Sequence, residues 1–208
     1  MIARATGRAG LMAAALLLAS VTATLAGPPT DQVRRYTDHV QRILEDASLQ
    51  HDDKRAAVRQ VAAQVFDMTE TARRALGRHW HGRTPTQQEE FVQLFADLME
   101  RTYIAKIDLY GGEQLQFTGE AIDGEYAVVR AKVITRQRAE VPVEARLLRR
   151  DDRWLIYDVV IERVSLVGNY RSQFDRIIRS ASYEELVRRL KTRRDEFLPA
   201  QEGRPSRS

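Results

Sequence analysis

Residues 154–174, WLIYDVVIERVSLVGNYRSQF, change their period part-way along. Leu155, Tyr157, Val159 and Ile161 recur at every second position, as in a strand with one buried face. From Ser165 the spacing turns helical, with Leu166, Tyr170, Phe174 and Ile177 four, four and three residues apart. The Ser165 hydroxyl is placed to cap that helix. A buried strand therefore runs almost directly into a helix that carries aromatic residues.

Upstream of this stretch, alternation continues. Leu115 and Phe117 predict a short first strand, and Asp123-Gly124 turns the chain into a second from Tyr126 to about Arg136. Val141, Val143, Ala145 and Leu147 alternate in a third, and Asp151-Asp152-Arg153 turns into the fourth at Trp154. The first half reads as helices instead. Val33, Tyr36, Val40, Ile43, Leu44 and Ala47 share one face after a Thr30 cap, and Val58, Val61, Ala62 and Val65 share another. Met68, Ala72, Ala75 and Leu76 mark a third helix, stopped by Gly77. Thr84-Pro85-Thr86-Gln87 opens a long fourth, expected to run to about Tyr110 before Gly111-Gly112. Ser182-Tyr183-Glu184-Glu185 opens the last helix. The expected fold is α+β: N-terminal helices, a curved four-stranded antiparallel sheet packed on the long helix, and C-terminal helices.

Residues 1–26 read as an export signal. Arg4 and Arg8 form a basic start, Leu11 to Ala26 is largely apolar, and Thr24-Leu25-Ala26 suits a signal peptidase. That run is shorter than the roughly 20 residues a membrane span needs. Residues 27–198 then form one domain, and 199–208 a disordered tail. The chain has no cysteine, which excludes disulfides, thiolate metal sites and a lipidated N-terminal cysteine. Without Arg4 and Arg8 the formal charge falls from +4 to +2, so no nucleic-acid partner is expected.

The uncharged strand faces carry Leu115 and Phe117; Ala127, Val129, Ala131 and Val133; Val141, Val143, Ala145 and Leu147; and Leu155, Tyr157, Val159 and Ile161. Three alanines leave volume that something must fill, because interiors are close-packed. Periodicity allows two fillers: the helix face Phe91, Leu94, Phe95 and Leu98, or an apolar ligand.

Chemistry-bearing motifs are sparse. The sequence has no G-x-S-x-G elbow, no Gly-rich phosphate loop and no H-E-x-x-H. His79-Trp80-His81 has two potential metal ligands but no adjacent acidic third, so no metal or cofactor is expected. Asp67 and Asp158 read as structural, Asp67 as a helix cap. An enzyme would need a polar pocket residue, for which Tyr157 is the main candidate on the inner strands.

The segments VFDM (65–68), ALGRHW (75–80), TPTQQEEF (84–91), LMERTY (98–103) and RWLIYDVVIERVSLVGNYRSQF (153–174), in this order, resemble the MlaC, or toluene-tolerance, family. One departure is Arg163, where family members commonly have Gly. The resemblance implies a non-enzymatic, soluble periplasmic phospholipid carrier. Its implied partners are an outer-membrane lipoprotein complex and an inner-membrane complex containing an MCE protein and an ABC transporter. It also decides the filler in favour of acyl chains. On that reading the pocket is lined by Phe91, Phe95, Leu98, Val129, Ala131, Val143, Ala145, Tyr157 and Val159, with Tyr103 and Tyr110 near its mouth. Val167, Tyr170 and Arg171 either dock a partner, or Tyr170 packs inside while Arg171 braces a turn. Hydrocarbon costs about 0.8 kcal/mol per CH₂ in water, so a tail of about 16 carbons costs on the order of 12 kcal/mol and demands enclosure.

Overall fold

A computed structural model describes residues 28–104 and 110–192. The export signal and the tail expected above lie outside these residues, as does the stretch through which the long helix was expected to reach Tyr110. The described elements are α1 (Pro29–Glu45), α2 (His51–Val65), α3 (Met68–Leu76), α4 (Pro85–Tyr103), β1 (Gln114–Asp123), β2 (Tyr126–Ile134), β3 (Glu140–Arg150), β4 (Arg153–Ile161), β5 (Val164–Ser165), α5 (Leu166–Ser180) and α6 (Tyr183–Thr192).

Local chemistry explains most helix ends. Thr84 and Gln87 form a reciprocal capping box at α4, with Pro85 in the first turn. The Asp67 carboxylate accepts from the Glu70 amide to cap α3, and the Ser165 hydroxyl accepts from the Gly168 amide to cap α5. Gly77 ends α3 at φ +58°, a conformation that suits glycine. A β-carbon there would also meet Arg171 Cδ at 3.0 Å, so the Arg171 stem braces this turn. At α1 the expected cap is absent. Pro28 occupies the cap position, and the Thr30 amide and hydroxyl both donate to Glu120 of β1.

The expected α+β class holds, with five antiparallel strands in the order β1-β2-β3-β4-β5 and not four. Alternation could not reveal β5, because its two residues are followed at once by α5. The β4–β5 connection is a two-residue turn in which Glu162 (φ 48°) and Arg163 (φ 71°) are both left-handed. Such turns favour Asn-Gly, since a β-carbon there costs roughly 1–2 kcal/mol per residue. Glu162→Asn combined with Arg163→Gly should stabilise the protein by about 1 kcal/mol, read as a higher urea midpoint at an unchanged slope.

Two hydrophobic clusters share the interior. One is helical: Ala72, Ala75 and Leu76 of α3, Phe91, Phe95 and Leu98 of α4, Val167, Tyr170 and Phe174 of α5, and Leu186 and Leu190 of α6. Its centre is a knot of rings, with Phe95 edge-on to Tyr170 at 5.3 Å and Phe91 edge-on to Phe174 at 5.7 Å. The other joins α1 and α2 to the sheet through Val33, Ile43, Val58, Val61 and Val65 against Ala127, Val129, Leu147, Trp154 and Ile156. The sheet face is therefore covered by α1 and α2, while α4 packs on α3 and α6. Those two N-terminal helices supply much of the volume that the strand alanines leave open.

Strand β4 departs from the simple alternation of the sequence. The register rows Ala131–Val143–Ile161 and Val129–Ala145–Val159 carry the expected residues, but the next row is Ala127–Leu147–Ile156. A bulge opposite Arg146 and Leu147 inserts Tyr157 as an extra residue. Beyond it, Trp154 and Ile156 face α1 and α2, and Leu155 pairs with Leu148 on the other side. The Asp67 amide donates to the Ile156 carbonyl at 2.9 Å beside the bulge, which fixes the α2–α3 junction to the strand. Gln32, also buried, donates to the Trp154 carbonyl and accepts from the Trp154 amide, tying α1 to the start of β4.

An apolar cavity as the candidate functional site

A cavity of about 590 Å³ lies where the two clusters part. This is within the range of ligand-binding cavities, roughly 300–1,000 Å³. Residues Ala62 and Ala63 of α2, with Phe66 just past its end, form one wall, and Phe95, Ala96, Met99 and Tyr103 of α4 another. Tyr157, Val159 and Ile161 of β4 and Leu166, Val167 and Tyr170 of α5 close the remaining sides. The long helix thus faces the sheet across this space instead of packing directly on it. Arg59 of α2 and Glu100 of α4 join the two helices by a 2.5 Å ion pair, and both are partly exposed.

Of the nine residues assigned from sequence to a tail pocket, Phe95, Tyr157 and Val159 line this cavity. Phe91 and Leu98 are spent inside the helical cluster. Val129 and Ala145 belong to the cluster under α1 and α2. Ala131 and Val143 share a register row on the sheet and do not border the cavity. Tyr103 lines the cavity, whereas the Tyr110 hydroxyl lies 3.4 Å from Glu45 and takes no part in the wall. Of the segment considered for docking, Val167 and Tyr170 are buried in the helical cluster and only Arg171 is exposed. Sequence reasoning missed Ala62, Ala63, Ala96 and Met99. Small or flexible residues on a helix flank are the available signal, and it is a weak one.

Several polar groups at the cavity wall are held by neighbours. Asp158, 4 % exposed, accepts from the Ser165 hydroxyl (2.7 Å) and the Val167 amide (3.1 Å), and pairs with Arg146 at 3.3 Å. Its carboxylate therefore clamps the start of α5 onto β4, where negative charge also complements the helix dipole. The Thr71 hydroxyl donates back to the Asp67 carbonyl. Tyr157 is held from behind: Arg74 lies 4.0 Å from its ring centroid, and Tyr126 meets it edge-on.

Arg74 is positioned in turn by Glu70, which is buried and bonds both Arg73 and Arg74 at 2.6 Å. The Arg73 guanidinium holds the Glu70 carboxyl below the usual glutamate range, against the upward pull of burial, and Arg74 adds to the effect. A carboxylate with a depressed folded value stabilises the protein above the ordinary glutamate range and loses that contribution as pH falls through the depressed value. Acid unfolding of Glu70→Gln, followed by thermal melts across that window, should show a shallower fall in Tm than the parent protein.

His79 Nε2 lies 2.8 Å from Asp175 Oδ1, and His81 is exposed. No group of three potential metal ligands converges among the described residues, nor is any described helix long and apolar enough to cross a membrane.

These features define an α+β domain built around an apolar cavity. The profile of the family described as "MlaC protein" matches residues 34–192, and the chain belongs to that family. A solved structure of a phospholipid-binding protein from Ralstonia solanacearum, in complex with a phospholipid, is similar in fold, with a TM-score of 0.70. It is 25% identical, and the match covers 78% of this chain and 94% of that one.

Proposed function

We propose that this protein is a periplasmic phospholipid carrier that encloses acyl chain in the cavity between α4 and β4. The observation that carries the proposal is the cavity itself, walled by aromatic, aliphatic and methionine side chains in a chain of the MlaC family. The phospholipid held by the similar Ralstonia protein supports the same ligand class. Burial of hydrocarbon supplies the affinity, and a headgroup left in water avoids a desolvation cost, so discrimination among headgroups is weak. The carrier exchanges its cargo with an outer-membrane lipoprotein complex and an inner-membrane complex of an MCE protein and an ABC transporter. Protein purified without detergent should show, by native mass spectrometry, a mass increment matching phospholipid, with the lipid recovered on solvent extraction. Repeated preparations carrying only the bare protein mass would overturn the proposal.

A further inference from the structure

Arg35, His39 and Arg42 follow one another at four- and three-residue intervals along α1, so they share one face of that helix. All three are exposed, and they form one side of a groove of about 370 Å³. The turn from β3 into β4 forms the other side and brings Asp152 and Arg153 to it. Between them lies the buried Gln32, whose side chain donates to the Trp154 carbonyl at 2.8 Å and accepts from the Trp154 amide at 3.0 Å. That pair of hydrogen bonds fixes the two sides of the groove to each other. The groove shares no lining residue with the apolar cavity.

The cations here differ from those elsewhere on the surface. Arg59, Arg73, Arg74 and Arg78 are each paired with a carboxylate. Arg35, Arg42 and Arg153 enter no ion pair among the described residues. Asp31 and Asp38 stand four residues before Arg35 and Arg42, within reach along the helix, yet neither pair forms. Three guanidinium groups against the single carboxylate of Asp152 leave an excess of positive charge, which an anion would relieve. The groove is at the small end of the range for ligand sites, so the anion is compact. Guanidinium forks reach it from two elements, and the His39 ring adds a further donor. A tetrahedral phosphate offers oxygens to several forks at once, whereas a planar carboxylate matches one. We propose that this groove is a binding site for a phosphate group, either free in solution or carried by a lipid headgroup at a membrane surface. The site is independent of the carrier reading above.

Two probes separate the sources. Inorganic phosphate is titrated into the purified protein and followed by NMR, with chloride at matched ionic strength as the reference for plain screening. In parallel, flotation reads binding to vesicles of equal parts phosphatidic acid and phosphatidylcholine, against phosphatidylcholine alone. The double variant Arg35→Gln with Arg42→Gln should bind the effective probe at least about tenfold more weakly, the scale of lost charge-assisted hydrogen bonds. Both side chains are exposed, so the fold should be unaffected. Arg138→Gln with Arg176→Gln removes the same charge from exposed positions outside the groove and should bind like the parent. Saturable phosphate binding that depends on the groove assigns a soluble ligand. Groove-dependent flotation without a response to free phosphate assigns a headgroup. A parent protein that answers phosphate no more than chloride and ignores the anionic vesicles overturns the site. Equal weakening in the two double variants also overturns it, because net charge alone would then explain the binding.

Discussion

Ala96→Trp should yield a folded protein that carries little or no lipid. Ala96 faces the cavity from α4, and an indole there would fill space that the proposed acyl chain occupies. Each CH₂ excluded from the cavity costs the ligand about 0.8 kcal/mol, so loss of a few methylene contacts suffices for at least a tenfold fall in retained lipid. The fold should survive, because the indole enters open volume and not a packed core. Phospholipid per protein after detergent-free purification, together with the thermal midpoint, checks both halves of the expectation. Retention of full loading by the folded variant would mean that lipid sits elsewhere. Ala131→Trp provides the contrast. Ala131 is 7% exposed on the sheet and does not border the cavity, so the same substitution should instead cost about 1–3 kcal/mol through overpacking.

Asp158→Ala should lower stability by about 3 kcal/mol in urea unfolding. It removes the acceptor for the Ser165 hydroxyl and for the Val167 amide, and it strips Arg146 of its partner. Arg146 is partly exposed and regains water, so the loss falls mainly on the two groups at the head of α5. Asp158→Asn keeps one oxygen acceptor and should lose about half as much. Equal stability of all three proteins would show that the clamp contributes nothing.

The fold class was legible because its signals are local. Thr84–Gln87, Ser165 and Gly77 are recognisable at short range, and the strands of the sheet alternate over long enough runs to be seen. What stayed hidden is set by contacts distant in sequence. Nothing near Thr30 announces that its hydroxyl binds Glu120 instead of capping α1, and nothing near Gln32 points to Trp154. The amphipathic stripe of α4 was visible, but a stripe does not name the surface it meets. Phe91 and Leu98 meet α3, α5 and α6, and Ala127 and Ala145 of the sheet meet α1 and α2, so the pairing of the long helix with the sheet joins the wrong faces. The cavity arises where those two packings fail to meet. Its wall therefore takes residues from the flanks of the stripes, such as Ala63 and Ala96, that no apolar periodicity selects.

The extra residue in β4 has a consequence for how this strand tolerates changes in length. Trp154 and Ile156 are even-numbered, Val159 and Ile161 odd-numbered, yet all four occupy rows of one sheet face. Tyr157 supplies the half-step that reconciles the two parities. Excising Tyr157 would leave Ile156 and Val159 two positions apart, the ordinary spacing of a regular strand, and every remaining side chain would keep its side. Excising a neighbour such as Leu155 would send Trp154 to the wrong side. Among single-residue losses in this strand, the one that erases part of the cavity wall is the one the sheet is best able to absorb.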